Sequence, residues 1–344
     1  MTATTSLNHH LRLYAHNQVV SGQGRAAVYD LHRGSIRLIP AALPALIDGL
    51  RRESLAEVSH RYFREHPTTL RRYIDFLVQE DLAFLTAHPE HYVDVPTEWH
   101  FPYRLASAVI AHRASSSPYD LAAALTEVGS LGCHSLELWL EDYPENSRSG
   151  VWTSLIRGLQ DNEFQSVELF LRPKGGRKTL SGEMTGCLEQ IPRLNRIVVL
   201  GAEREETHRA GRGSVSISYT SARNVREFAR RPDPRRPIFV AHNYFWQAQT
   251  ANPYFNRRVG IDTAGRIRND LLHATEAFGV IGVANVRETM AQPDFQRLWS
   301  ARPDDIAEVA DDPLRYCLPY DRPLRYCAAE GTWKFTGGEM AEVG

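Results

Sequence analysis

The chain has 344 residues, 42% of them hydrophobic and 24% charged, with a formal net charge of -1 at pH 7. That length allows two or three domains with buried cores, and the balance is ordinary for a globular protein in water. Near-neutral charge provides no global field to recruit nucleic acid or an anionic membrane, so neither is expected as a partner.

Charge is nevertheless uneven along the chain. Arg223, Arg226, Arg230, Arg231, Arg235 and Arg236 form a basic run, and Asp304, Asp305, Glu308, Asp311 and Asp312 an acidic one. Both read as solvated faces. The start, MTATTSLNHH, lacks the apolar stretch of a secretion signal, and no apolar run approaches membrane-spanning length. Four scattered cysteines suit a reducing compartment, so a cytoplasmic location is expected.

Residues 1–87 are expected to form one small domain. LRLYAHNQVV (11–20) and RAAVYDLHR (25–33) alternate apolar and polar residues around a Ser-Gly-Gln-Gly hairpin turn. Gly34 leads into a third strand, Ser35–Ile39, which Pro40 ends. Leu43, Leu46, Ile47 and Leu50 have helical spacing, and Ser54 with Glu57 forms a capping box for a second helix. Thr68 or Thr69 opens a third helix carrying Leu70, Tyr73, Ile74 and Leu77 on its apolar face.

Three strands and three helices of this kind suggest a winged helix, with two possible uses. A DNA reader would place Arg71 and Arg72 against phosphates, but Asp75, Glu80 and Asp81 nearby oppose that. A peptide binder would let an extended segment add a strand beside Ser35, Ile36, Arg37, Leu38 and Ile39. Leu70, Tyr73, Ile74 and Leu77 would then floor the groove, with Arg37 and Arg71 meeting peptide carboxylates.

Residues 88–102 read as a linker with three prolines. From 103 the pattern alternates: strands at 105–112, 135–140, 167–171, 196–200, 214–219 and 237–241 interleave with helices at 119–131, 152–159, near Cys187, and at 223–228. This is parallel β/α architecture. Six strands are too few for a closed eightfold barrel, so 103–242 is expected to form a partial (β/α)6 barrel. Residues 243–335 are short-stranded and loop-rich, and 336–344 read as a flexible tail.

Pro-Leu-Arg-Tyr-Cys occurs twice, at 313–317 and 323–327. A metal on Cys317 and Cys327 would need two further ligands, and no spaced histidine pair or CxxC supplies them. Cys133 and Cys187 read as core residues. Cys133 and His134 are adjacent on an extended chain and point to opposite faces, which rules out a nucleophile pair.

Several of these words also resemble a known family. Arg25–Leu31 (RAAVYDL), Ser35–Pro40 (SIRLIP) and Leu77–Leu85 (LVQEDLAFL) resemble the PqqD-type precursor-recognition domain of peptide-modifying systems. Asn252–Arg257 (NPYFNR), Ile261–Asn269 (IDTAGRIRN), Phe278–Ile281 (FGVI), Val286–Met290 (VRETM), Phe295–Trp299 (FQRLW) and Asp304–Ile306 (DDI) resemble the SPASM domain of radical SAM peptide maturases. The likeness is nearest to maturases that work beside ATP-grasp ligases. It implies a winged-helix recognition domain, a radical-SAM-like partial barrel and a SPASM-like domain over 243–335.

The departures from that pattern are as informative. The family's CxxxCxxC belongs in the loop Ala111–Pro118 (AHRASSSP), which has no cysteine, and its glycine-rich turn is replaced by Trp139–Asp142 (WLED). The SPASM thiolates are missing beside Asn269 and at Ala310 and Pro313, leaving Cys317 as a relic. No iron–sulfur cluster and no S-adenosylmethionine are therefore expected. The resemblance implies an accessory, non-catalytic protein that binds the leader of a ribosomal precursor peptide and presents it to an ATP-grasp ligase or another modifying enzyme. The alternatives are a cluster-independent peptide-modifying enzyme and a winged-helix DNA-binding regulator.

Overall fold

The computed structural model describes residues 8–94, 98–144, 146–174, 179–210, 215–231, 238–273 and 276–336. Residues 175–178 and 211–214, with Arg235, Arg236 and Pro237, lie outside the described residues, as do 337–344 of the expected tail.

Near the N-terminus the expected first strand is two. Residues 11–20 break at Tyr14–His16 into β1 (His10–Leu13) and β2 (Asn17–Ser21), and these join different sheets. The Asn17 side-chain amide donates to the Leu82 carbonyl at 2.8 Å and fixes the break. β3 (Arg25–Asp30) and β4 (Ser35–Pro40) complete an antiparallel meander ordered β2-β3-β4. Gly24 and Gly34 take positive φ at its two turns, where a side chain would be strained.

Three helices follow: α1 (Leu43–Arg52), α2 (Leu55–Tyr62) and α3 (Pro67–Gln79). α1 buries Leu43, Leu46, Ile47 and Leu50, the residues its spacing singled out. Ser54 and Glu57 form the reciprocal capping box on α2. α3 starts one residue before the two threonines, with Pro67 at its first position, where its missing N–H costs nothing. β5 (Ala83–Thr86) then returns to pair with β1.

The rest of the described chain is organised by a nine-stranded, mostly parallel sheet. β6 (Ser107–Arg113), β7 (Ser135–Tyr143), β8 (Ser166–Pro173), β9 (Leu194–Leu200) and β11 (Val215–Thr220) lie side by side in chain order, all parallel. β10 (Glu206–Ala210) pairs antiparallel with β11 at one edge. The other edge comes from later in the chain: β12 (Arg258–Ile261) pairs parallel with β6, then β13 (Arg266–Arg268) and β14 (Gly279–Val280) extend the sheet antiparallel. The sheet ends at β10 and β14, so it is open. The expected strand at 237–241 is not formed: its described residues 238–241 are irregular, and Val240 packs near Tyr29 and Phe245.

Helices α4 (Leu121–Ser130), α5 (Gly150–Gln160) and α6 (Gly182–Leu188) pack on one face, over Ile110, Leu138, Leu169 and Ile197. α7 (Val225–Ala229) contributes Val225 to the opposite face. That second face is layered by register. Glu137, Glu168 and Arg196 align in one row, Trp139, Phe170 and Val198 in the next, and Arg113 aligns with Glu141 beyond them. Arg258 ties the charged row down: it is 6% exposed and reaches Glu137 at 3.1 Å and Asp270 at 3.3 Å, with its guanidinium 4.6 Å from the centre of the Tyr254 ring.

The boundary expected at 242 falls at the first residue of α8 (His242–Thr250). Phe245, Trp246 and Ala248 of this helix pack with Tyr316 and Cys317 against Val20, Ala27 and Tyr29 of the N-terminal meander. The first pentapeptide thus joins the two ends of the chain. The second forms β15 (Leu324–Cys327), paired with β16 (Thr332–Phe335). Short helices α9 (Val286–Met290) and α10 (Pro293–Gln296) complete this part. Among the described residues, no helix is long and apolar enough to cross a membrane.

Candidate functional site

β4 has β3 on one side only. Among the described residues no other backbone group bonds to it, so its outer edge offers unpaired N–H and C=O groups. Beside that edge lies a groove of about 400 Å³, lined by Leu38, Pro40, Leu43, Thr69, Arg72, Tyr73 and Phe76.

The predicted site residues divide between groove and core. Ser35 and Ile36 are half-buried, Arg37 and Leu38 exposed, and Ile39 buried under the helices. Ile36 turns the other way, toward Tyr29 and α8. Leu70, Ile74 and Leu77 are buried in the helical core with Leu43 and Leu50, so they do not floor the groove. They hold α3 in place, and the next stripe of α3 faces the groove: Thr69, Arg72, Tyr73 and Phe76. Of these, Tyr73 is a predicted site residue, whereas Thr69, Arg72 and Phe76 share its spacing but lie beside a more apolar stripe.

Arg37 and Arg71 already have carboxylate partners. Arg37 meets Glu80 at 3.2 Å, and Arg71 meets Asp75 at 3.8 Å one helical turn on. Both pairs are solvent-exposed and of the kind worth about 0–1 kcal/mol, so a docking peptide can exchange with them. Arg72 has no ion-pair partner among the described residues and is the groove's available cation.

The two cysteines considered for a metal are not part of a ligand set. Cys317 is fully buried, its thiol donating to the Leu314 carbonyl at 3.0 Å, and burial pushes its pKa up to about 12. Cys327 lies half-buried on β15. Among the described residues the one convergent trio of possible ligands is His88, Glu90 and His91, all solvent-exposed. The loop at 111–118 offers hydroxyls in place of thiolates. Ser117 accepts from the Arg113 N–H at 2.9 Å and donates to the Thr263 carbonyl at 2.9 Å. Arg113 in turn pairs with Glu141, its Nε donating at 2.9 Å. That carboxylate is engaged in an ion pair instead of being free in solvent.

Compared with known proteins, the chain matches no protein-family model, and no characterised protein matches it with significant sequence similarity.

Proposed function

We propose that this protein binds an extended peptide along β4 and presents it to a partner enzyme. The observation that carries the reading is the unpaired outer edge of β4 beside a groove with aromatic walls and a free cation. A strand added there gains backbone hydrogen bonds, while Leu38, Tyr73 and Phe76 give its alternate side chains apolar contact. The PqqD-like words in β3, β4 and α3 support reading that peptide as the leader of a ribosomal precursor. The SPASM-like words support an ATP-grasp ligase or another peptide-modifying enzyme as the partner.

In this reading the open parallel sheet is a radical-SAM-like partial barrel, and residues 243–335 a degenerate SPASM-like domain. Chain-order parallel strands with three helices on one face support the first. The sequence words between Asn252 and Ile306 support the second. Neither loop 111–118 nor the run from Ile306 to Pro313 contains a thiolate, so the reaction belongs to the partner.

Fluorescence anisotropy with labelled leader peptides encoded near the gene tests the reading. Saturable binding that Leu38→Pro abolishes supports it, because proline in β4 removes a backbone donor and stiffens the strand. Binding that this variant leaves unchanged, with the fold intact by circular dichroism, contradicts it.

A further inference from the structure

The second face of the parallel sheet holds a cavity that peptide docking at β4 does not use. It has a volume of about 240 Å³ and opens beyond the carboxyl ends of the parallel strands, where β/α folds place their ligands. An apolar cavity of about 150 Å³ holds benzene, so this one has room for a ring and a polar substituent.

Its walls are chemically divided. Ala111, Trp139, Phe170, Leu200 and Leu271 form an apolar floor, and Arg226 stands among its polar residues. One cation on these walls lacks, among the described residues, an acceptor for its terminal nitrogens. Trp139 is 8% exposed, and its indole N–H is buried without a partner. That nitrogen has no accessible surface, so the indole meets the cavity with its ring and not with its N–H. The Arg226 Nε donates to the Leu271 carbonyl at 2.9 Å, which orients the guanidinium. Its terminal nitrogens have no acceptor among the described residues.

The other charges around the cavity are already matched. Arg113 pairs with Glu141, and Asp262 is held by Arg266 at 2.8 Å and Arg268 at 3.1 Å. Arg226 is thus the uncompensated charge, and it is positive. A carboxylate brings one negative charge and two acceptor oxygens, matching the one cation and its two terminal nitrogens.

We propose that this cavity binds a small organic carboxylate carrying an aromatic or branched apolar group. The ring or branch lies on Trp139 and Phe170, and the carboxylate answers Arg226. Such a ligand is either a free acid or the C-terminal residue of a peptide.

Nuclear magnetic resonance of protein labelled with 15N-tryptophan tests this, with the Trp139 indole signal assigned as the one absent from Trp139→Phe. Phenylacetate represents a free acid and Gly-Gly-Phe a peptide terminus. Either probe should move that indole signal saturably as it packs on the Trp139 ring, and which one does so identifies the source. Arg226→Gln, at an exposed position, should weaken binding about tenfold to a hundredfold with the fold intact, as loss of a charge-assisted hydrogen bond does. No saturable movement with either probe overturns the proposal. Equal movement with phenylacetamide, or affinity unchanged in Arg226→Gln, also overturns it.

Discussion

Tyr29 donates its phenolic hydrogen to the Pro313 carbonyl at 2.7 Å, joining residues 284 positions apart. The contact ties the N-terminal meander to residues near the far end of the chain, and its surroundings show that the tie is built. The Gln23 N–H donates to the Asp311 carbonyl at 2.8 Å, and Arg315 donates to the Ser21 carbonyl at 2.8 Å. A Cβ on Gly22 would lie 2.4 Å from a Pro313 ring carbon and 2.6 Å from the Asp311 carbonyl oxygen.

Substitutions at this joint should therefore loosen the meander. Gly22→Ala is expected to lower stability by about 1–3 kcal/mol through the clash. Tyr29→Phe should cost about 1–2 kcal/mol by removing the hydrogen bond. Urea denaturation measures both. A wild-type midpoint in Gly22→Ala would show that the contact yields without strain.

Cys317 should be inert as a thiol. With its pKa pushed up to about 12, it holds roughly a thousandfold less thiolate near neutral pH than an exposed cysteine. Iodoacetamide on the native protein should leave Cys317 unlabelled and react with it after unfolding, as read by mass spectrometry. Fast native labelling would mean that the joint opens readily.

The charged row under the second sheet face depends on Arg258, the buried cation that ties it down. Arg258→Met should destabilise by about 3–5 kcal/mol, because Asp270, fully buried, loses its countercharge. Removing both charges, with Arg258→Met and Asp270→Asn together, should recover part of the loss in thermal denaturation.

His112 gives an acid-side dependence. Burial lowers its pKa, only partly offset by the Tyr119 carbonyl, to which its Nε2–H donates at 3.3 Å, while Nδ1 accepts from the Tyr143 hydroxyl at 2.9 Å. The unfolded chain therefore takes up this proton first. The contribution of neutral His112 is complete above about pH 6.5 and is lost as pH falls from there toward the folded pKa. His112→Gln should flatten the change in urea midpoint between about pH 7.5 and 5. An unchanged slope would assign the dependence to another group.

Much of this architecture could be read from local pattern. The stripe Leu43, Leu46, Ile47, Leu50 and the Ser54–Glu57 box define α1 and the start of α2, and apolar runs mark β6 to β9. Strand order was less accessible. β12 lies beside β6 across a separation of about 150 residues, and nothing local encodes that neighbour. β10 is mostly exposed and carries no apolar alternation to reveal it. Of the apolar residues at 238–240 only Val240 packs against a core, while Ile238 and Phe239 are exposed, and none has a strand partner. At the groove, β4 and α3 were legible, but the face of α3 turned toward solvent was not. Leu70, Ile74 and Leu77 carry the stronger apolar signal, and the core takes them first.

That division sets the expected ranking at the groove. Arg72→Glu should weaken leader binding more than Arg37→Glu or Arg71→Glu, whose cations are already shared with Glu80 and Asp75. All three effects should shrink in high salt, as rim charges are screened. Anisotropy titrations at two ionic strengths check the order, and Arg71 emerging as dominant would place the peptide on the opposite side of α3.

Hydrogen–deuterium exchange with and without bound leader tests the central claim most directly. Bound leader should slow exchange at the amides of Ser35–Ile39 and leave β2 unchanged, since β3 and β4 separate it from the new strand. Leader binding that protects other segments and leaves β4 exchanging at its free rate would contradict it.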